Sequence, residues 1–272
     1  MLTFVGLGLY DERSVTVEGR DVLRGADRVF AEFYTSRLAG TTVEALEAHH
    51  GVDIEVRDRE GVEQDPEPIL DAGASGDAVF LTAGDPMIST THVDLRLRAA
   101  DRGIETRIVH GTTAEAAAAS LSGLQNYRFG KATTLPFPYA HGGEGVPGSV
   151  IETIAANRER GLHTLVYLDI KVGTGPGGPD PDHEEYMTAD VAAGLLADEL
   201  DAAGVPEAVG VVVARAGSQA PLVAADQLSA LADRDFGDPL HLLVVPGDLH
   251  LLEHEALVEL AGAPAAALPD PV

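Results

Sequence analysis

Short apolar runs rich in Val, Leu and Ile recur along the chain and alternate with stretches of helical period, with glycine or proline at the joins. This order predicts an α/β fold. Strands are expected at residues 2–7, 28–33, 78–82, 106–110 and 133–136, then at 163–169, 209–214 and 241–245. Ala78-Val79-Phe80-Leu81 and Leu242-Leu243-Val244-Val245 are continuously apolar, as central strands covered on both faces would be. Helices are expected at 15–25, 90–102, 113–121, 150–160, 189–203 and 251–260, several of them stopping before a glycine suited to a left-handed ending.

Two stretches interrupt this alternation. Residues 140–148 and 173–181 are rich in glycine and proline. The first marks a boundary between an N-terminal α/β domain, 1–140, and a C-terminal α/β domain, 141–272. The second reads as an inserted surface loop, with His183-Glu184-Glu185 solvated beside it.

Charge narrows the function. The 272 residues include 44 acidic and 18 basic side chains, a formal charge of -26, yet 45% are hydrophobic and supply a core. Absence of cysteine removes disulfides, thiolate metal sites and thiol nucleophiles. An acidic surface argues against nucleic-acid phosphate as a partner. No window approaches ~18 consecutive apolar residues, and the start of the chain lacks the basic residues of a secretory signal, so the expectation is a soluble cytoplasmic protein without membrane contacts. Lysine occurs only as Lys131 and Lys171. Acid spread along the whole chain suits a surface hydrated in concentrated salt, where the screening length falls to ~3 Å at 1 M. That halophilic reading is preferred to an acidic protein of ordinary cytoplasm.

Candidate chemistry gathers at strand ends. Gly6-Leu7-Gly8 closes the first strand but lacks the third glycine of a dinucleotide loop. Thr82-Ala83-Gly84-Asp85-Pro86-Met87 runs from an apolar strand into a tight turn, where Asp85 either contacts a ligand or closes its own turn; the turn is preferred. His110-Gly111-Thr112-Thr113-Ala114 repeats the design, and Leu168-Asp169 and Ala214-Arg215-Ala216-Gly217-Ser218 end strands in the second half. Such glycine- and backbone-rich ends, with few acid–base groups, suit the holding of a reactive cofactor more than proton-shuttling hydrolysis.

His250-Leu251-Leu252-Glu253-His254 matches the H-x-x-E-H spacing of inverted zinc peptidases. The same segment also reads as an amphipathic helix whose buried stripe is Leu251, Leu252, Leu257, Val258 and Leu260, and that reading is preferred, with no metal. His49-His50 before Gly51 reads as a helix end where cationic histidine complements the dipole. No serine sits in a G-x-S-x-G elbow.

Taken together, ordered blocks along nearly the whole chain resemble the diphthine synthase family. They are Phe4-Val5-Gly6-Leu7-Gly8-Leu9-Tyr10-Asp11-Glu12-Arg13, Val29-Phe30-Ala31-Glu32-Phe33-Tyr34-Thr35-Ser36, Gly84-Asp85-Pro86 with Thr90-Thr91-His92, Gly161-Leu162-His163-Thr164-Leu165 with Leu168-Asp169-Ile170-Lys171, Ala214-Arg215-Ala216-Gly217-Ser218 and Asp235-Phe236-Gly237-Asp238-Pro239-Leu240-His241. The resemblance implies two α/β domains of the tetrapyrrole methylase type with the cofactor in the cleft between them, a homodimer, and S-adenosyl-L-methionine as methyl donor. It implies methylation of the amino group on a 3-amino-3-carboxypropyl-modified histidine of translation elongation factor 2, on the way to diphthamide. By position, its cofactor contacts fall on Leu9, Asp85, Ile88, Thr113, Ala114, Leu168, Ala216 and His241, with Asp85 and His241 among the few polar side chains. No general base is nominated; solvent and a carboxylate such as Asp85 are the alternatives for the proton. A tetrapyrrole methyltransferase shares Gly84-Asp85-Pro86 but not the Tyr34-Thr35-Ser36 and Asp169-Ile170-Lys171 blocks, and is the runner-up; a zinc hydrolase ranks below it.

Overall fold

A computed structural model describes residues 1–142, 145–205 and 208–272. The chain divides into two compact units, Met1–Ala114 and Glu115–Val272.

The first unit contains β1 (Leu2–Gly6), α1 (Val17–Gly25), β2 (Arg28–Glu32), α2 (Val43–His50), β3 (Ile54–Val56), α3 (Arg59–Glu63), α4 (Glu67–Ser75), β4 (Ala78–Thr82), α5 (Val93–Asp101) and β5 (Thr106–Val109). Its five strands run parallel in the order β3-β2-β4-β1-β5. Alternate side chains leave each strand on opposite faces. Leu2, Phe4, Phe30, Ala78 and Phe80 therefore enter one core with Ile69, Leu70 and Leu95, while Val5, Val29, Ala31, Val79 and Leu81 enter another with Leu23 and Leu46. Phe4 and Phe80 meet edge to face at 5.9 Å. A parallel sheet buried on both faces needs apolar residues at every position, which is why β1 and β4 are legible as continuous runs.

The second unit follows with α6 (Ala114–Ser122), β6 (Thr133–Leu135), α7 (Gly148–Arg158), β7 (Thr164–Leu168), β8 (Ile170–Gly175), β9 (Gly178–Tyr186), α8 (Ala189–Ala202), β10 (Val209–Ala214), β11 (Leu222–Gln227), α9 (Leu228–Leu231), β12 (His241–Val245) and α10 (Leu251–Ala261). The main sheet has the order β11-β10-β12-β7-β6 and is mixed: β6 runs parallel to β7, and the other neighbours are antiparallel. Its principal core joins Val166, Leu168, Val212, Ala214, Leu243 and Val245 to Ala192, Ala193, Leu196 and Leu200 of α8.

The division falls before the glycine-rich stretch expected to mark it near residue 140. Pairing of Leu135 with Leu168 puts β6 in the second sheet, so the chain has changed units before that strand begins. The expected loop at 173–181 is instead the turn region of a two-stranded sheet, β8 with β9, carrying a register shift between Val172 and Thr174. His183 and Glu185, expected in solvent, lie on β9 with His183 Nε2 3.4 Å from Glu185 Oε2.

Candidate active site

In the first unit, the carboxyl ends of β1, β4 and β5 meet through main chain. Gly8 and Gly84 form an antiparallel bridge, Gly8 N–H donating to Gly84 O at 3.1 Å and Gly84 N–H to Gly8 O at 2.8 Å. A Cβ on Gly6 would sit 2.5 Å from Gly84 O and 2.6 Å from Gly111 N, so only glycine lets these three loops approach. Gly84 itself has φ 73°, and a Cβ there would meet open space. Leu9 and Ile88 flank the turns, Ile88 45% exposed, while Thr113 and Ala114 precede or open α6. This edge gathers the first-unit residues singled out from sequence: Leu9, Asp85, Ile88, Thr113 and Ala114.

Asp85 is committed to the fold. Its Oδ1 accepts from Met87 N–H at 2.9 Å, closing the turn, and its Oδ2 accepts from His110 Nδ1–H at 2.8 Å and Gly111 N–H at 3.3 Å. The carboxylate is buried and bridges two strand ends. The preferred turn role is what the geometry shows, extended by the link to His110.

Behind this edge lies a buried acid–histidine pair with no role assigned from sequence. Glu32 ends β2 fully buried, and its Oε2 accepts from the Tyr34 and Thr35 N–H groups, each at 3.0 Å. Its Oε1 faces the Thr35 hydroxyl and His92 Nε2, the latter at 3.4 Å. His92 Nδ1 donates to the Pro86 carbonyl at 3.2 Å and so props the turn that carries Asp85. Burial raises the Glu32 carboxyl above the usual carboxylate range, against the pull of the Thr35 and Tyr34 donors, and burial lowers His92.

In the second unit, Leu168, Ala216 and His241 share one sheet edge. The carboxyl ends of β7 and β10 lie beside the start of β12, with Ala214 opposite His241 and Tyr167 opposite Leu242. His241 is not a free polar contact. Nδ1 accepts from Ala189 N–H at 3.1 Å and Nε2 donates to Asp238 O at 3.0 Å, fixing the neutral tautomer that burial also favours. Asp85 and His241 are each engaged within the fold, Asp85 by the Met87 and Gly111 N–H groups and the His110 ring, and His241 by neighbouring backbone. Next to Leu168, Asp169 Oδ2 accepts from Phe137 N–H at 2.8 Å and pairs with Lys171 Nζ at 3.1 Å.

The H-x-x-E-H segment does something other than hold metal. Glu253 is fully buried; its Oε1 accepts from Gln125 N–H at 2.9 Å and His163 Nε2–H at 3.0 Å, and its Oε2 from Arg128 Nη1 at 3.0 Å and His250 N–H at 2.8 Å. Gly247 N–H donates to His163 Nδ1 at 3.1 Å, which fixes that ring as neutral. Every lone pair of Glu253 is occupied, leaving none to activate water, and among the described residues no group of three or more His, Asp or Glu side chains is gathered for a metal. Glu253 also sets the helix rotation. With Glu253, Leu257 and Ala261 inward, Leu257 of the expected stripe is buried and Val258 half-buried, but Leu251, Leu252 and Leu260 are turned out at 58%, 71% and 64% exposed. His50 likewise ends α2 before a left-handed Gly51, but it is buried with Nε2 3.1 Å from Glu12 O, and burial lowers it, so it does not supply the expected cation.

No helix among the described residues is long and apolar enough to cross a membrane. A family model for Tetrapyrrole (Corrin/Porphyrin) Methylases matches residues 1–232. The chain is 79% identical over all 272 residues, and over the relative's full length, to the diphthine synthase of Natronomonas pharaonis. It is 72% identical to that of Halobacterium salinarum, with 98% of this chain and all of the relative covered; most such relatives come from halophilic archaea, in line with the reading of the charge. A solved structure described as diphthine synthase superposes with a TM-score of 0.86 at 37% identity, covering 98% of each chain. With sequence, fold and the blocks at the strand ends in agreement, the chain belongs to the diphthine synthase family of the tetrapyrrole methylases.

Proposed function

We propose that the chain is an S-adenosyl-L-methionine-dependent methyltransferase that acts in the cytoplasm, as a homodimer, on the 3-amino-3-carboxypropyl-modified histidine of translation elongation factor 2. The observation that carries this reading is the first-unit edge: glycine main chain at Gly8, Gly84 and Gly111, an open space beside Gly84, and Leu9 and Ile88 as apolar walls. Such an edge fits a ligand held largely by dry contacts, since the Gly8, Gly84 and Gly111 N–H groups are paired within the fold. Leu9, Asp85, Ile88, Thr113, Ala114, Leu168, Ala216 and His241 are the residues that would hold the donor, Asp85 and His241 through the backbone they brace. When bound, the donor supplies a methyl group already activated by a sulfonium. What remains for the protein is to align the amine and exclude water, for which ~7 to 11 kcal/mol is the ceiling among well-oriented reactants.

The test is methyl transfer to elongation factor 2 bearing the unmethylated side chain, read by mass spectrometry in concentrated salt. Added mass in steps of one methyl is expected; donor binding in calorimetry with no added mass would overturn the substrate assignment. Activity and folding are expected to fall away in dilute buffer, where the acidic surface repels itself unscreened. Full activity there would overturn the high-salt reading.

A further inference from the structure

His110 follows β5 directly at the same edge and is unlike the other histidines of the strand ends. Its side chain is 77% exposed, while the Asp85 carboxylate that its Nδ1–H contacts at 2.8 Å is 4% exposed. Asp85 is in turn held by Met87 N–H and Gly111 N–H, so it does not swing. A buried, anchored carboxylate on Nδ1 orients the ring and leaves Nε2 with a free lone pair directed away from the fold. Elsewhere the design differs: His92, His163 and His241 are buried, and each has Nδ1 engaged with neighbouring backbone. Asp85 is the charged group facing the His110 ring; Arg107, on the same strand, is turned to Glu18.

We infer that His110 is the proton acceptor for the amine that is methylated, with Asp85 as the positioning residue behind it. This rests on the methyltransferase reading above. An ammonium has no lone pair and must lose a proton before it can attack. The N–H bond breaks and the proton passes to His110 Nε2. The freed pair forms the N–C bond while the C–S bond breaks, its electrons remaining on sulfur, which ends neutral. The product is a secondary ammonium, and each further round needs one more proton removed. Between rounds the imidazolium returns its proton to solvent, which the exposure of the ring permits. Group-positioned proton transfer of this kind contributes ~10²- to 10⁴-fold.

Asparagine separates the base from the brace. In His110→Asn the amide N–H can still donate to Asp85, but no basic nitrogen remains; His110→Ala removes both. Full-length wild type and both variants are compared in concentrated salt. Expected are unchanged donor binding by calorimetry in the Asn variant, a loss of about 100-fold or more in kcat with either variant near neutral pH, partial rescue of the Ala variant by added imidazole, and narrowing of the gap as pH rises and the free amine becomes available. Long-range 15N spectra of the donor-free wild type are expected to show the Nδ1–H tautomer. Near-wild-type kcat in His110→Asn would reduce His110 to a brace and overturn the inference; an Nε2–H tautomer would do the same. A wild type that transfers no methyl group would instead overturn the reading on which it rests.

Discussion

Each unit buries a glutamate against a histidine, and the two pairs are built oppositely. Glu253 in the second unit faces donors on every side: two main-chain N–H groups, Arg128 and the Nε2–H of His163. Burial pushes its carboxyl up, yet the combined donors hold it below the ordinary 4.5. Glu32 in the first unit accepts from two N–H groups on one oxygen and from the Thr35 hydroxyl on the other, where His92 Nε2 lies beside it with its Nδ1–H already given to Pro86 O. There burial wins and the carboxyl rises. Burial prevails at Glu32 and is outweighed at Glu253, where His163, Arg128 and two backbone N–H groups converge on the carboxylate.

The sharpest way to break this comparison is to exchange each acid for its amide. Glu253→Gln puts an N–H among donors and leaves Arg128 without its counter-charge, so a loss of about 3 kcal/mol is expected in urea unfolding at neutral pH. A Glu253→Gln midpoint equal to wild type would show that the network is not a unit. Next in size is Gly6→Ala, whose Cβ would press on Gly84 O and Gly111 N; overpacking of this kind costs about 2 kcal/mol, and it is expected to weaken donor binding as well, measured by calorimetry. Glu32→Gln is expected to cost under about 1 kcal/mol, because the amide oxygen keeps Tyr34 and Thr35 while its N–H finds His92 and the Thr35 hydroxyl.

Acid sharpens the same contrast. Glu253 contributes stability above its unfolded value of 4.5 that is lost as pH falls through its lower folded value, and neutral His163 loses stability from about 6.5 downward. In the second unit the two act together. In the first, His92 also loses stability below about 6.5, but Glu32 takes up its proton earlier in the folded state and gains stability as pH falls through its raised value. Urea midpoints measured from pH 7.5 to 4 are therefore expected to fall more steeply in Glu32→Gln than in wild type; a parallel or shallower fall would mean that Glu32 is already charged when folded.

What the sequence made legible follows from burial. Strands β4, β10 and β12 have the expected bounds because strands covered on both faces are apolar throughout. The edge strand β3 is only three residues with an exposed end, and β11 carries Asp226 and Gln227, so neither shows a run. Strands β8 and β9 are hidden by glycine and proline, which a hairpin tolerates when it has no further neighbours to bond. At the site, the strand-end glycines and the turn role of Asp85 were readable from local chemistry. The His110 contact was not, because it joins residues 25 apart; nor was Glu32 with His92, whose pairing depends on β2 lying beside β4. The outward turn of Leu251, Leu252 and Leu260 on α10 has no local signal, because the partners that draw Glu253 inward, Gln125 and His163, are 128 and 90 residues away.

That last network also bears on how the sequence can drift. Losing Glu253 leaves a partly buried arginine without its counter-charge, and losing Arg128 removes the counter-charge of a buried carboxylate, so each single step is unfavourable even where a paired apolar replacement would be neutral. Neutral exchange at these two positions has to arrive together, and substitution rates there are coupled in a way that neither residue's own burial would reveal.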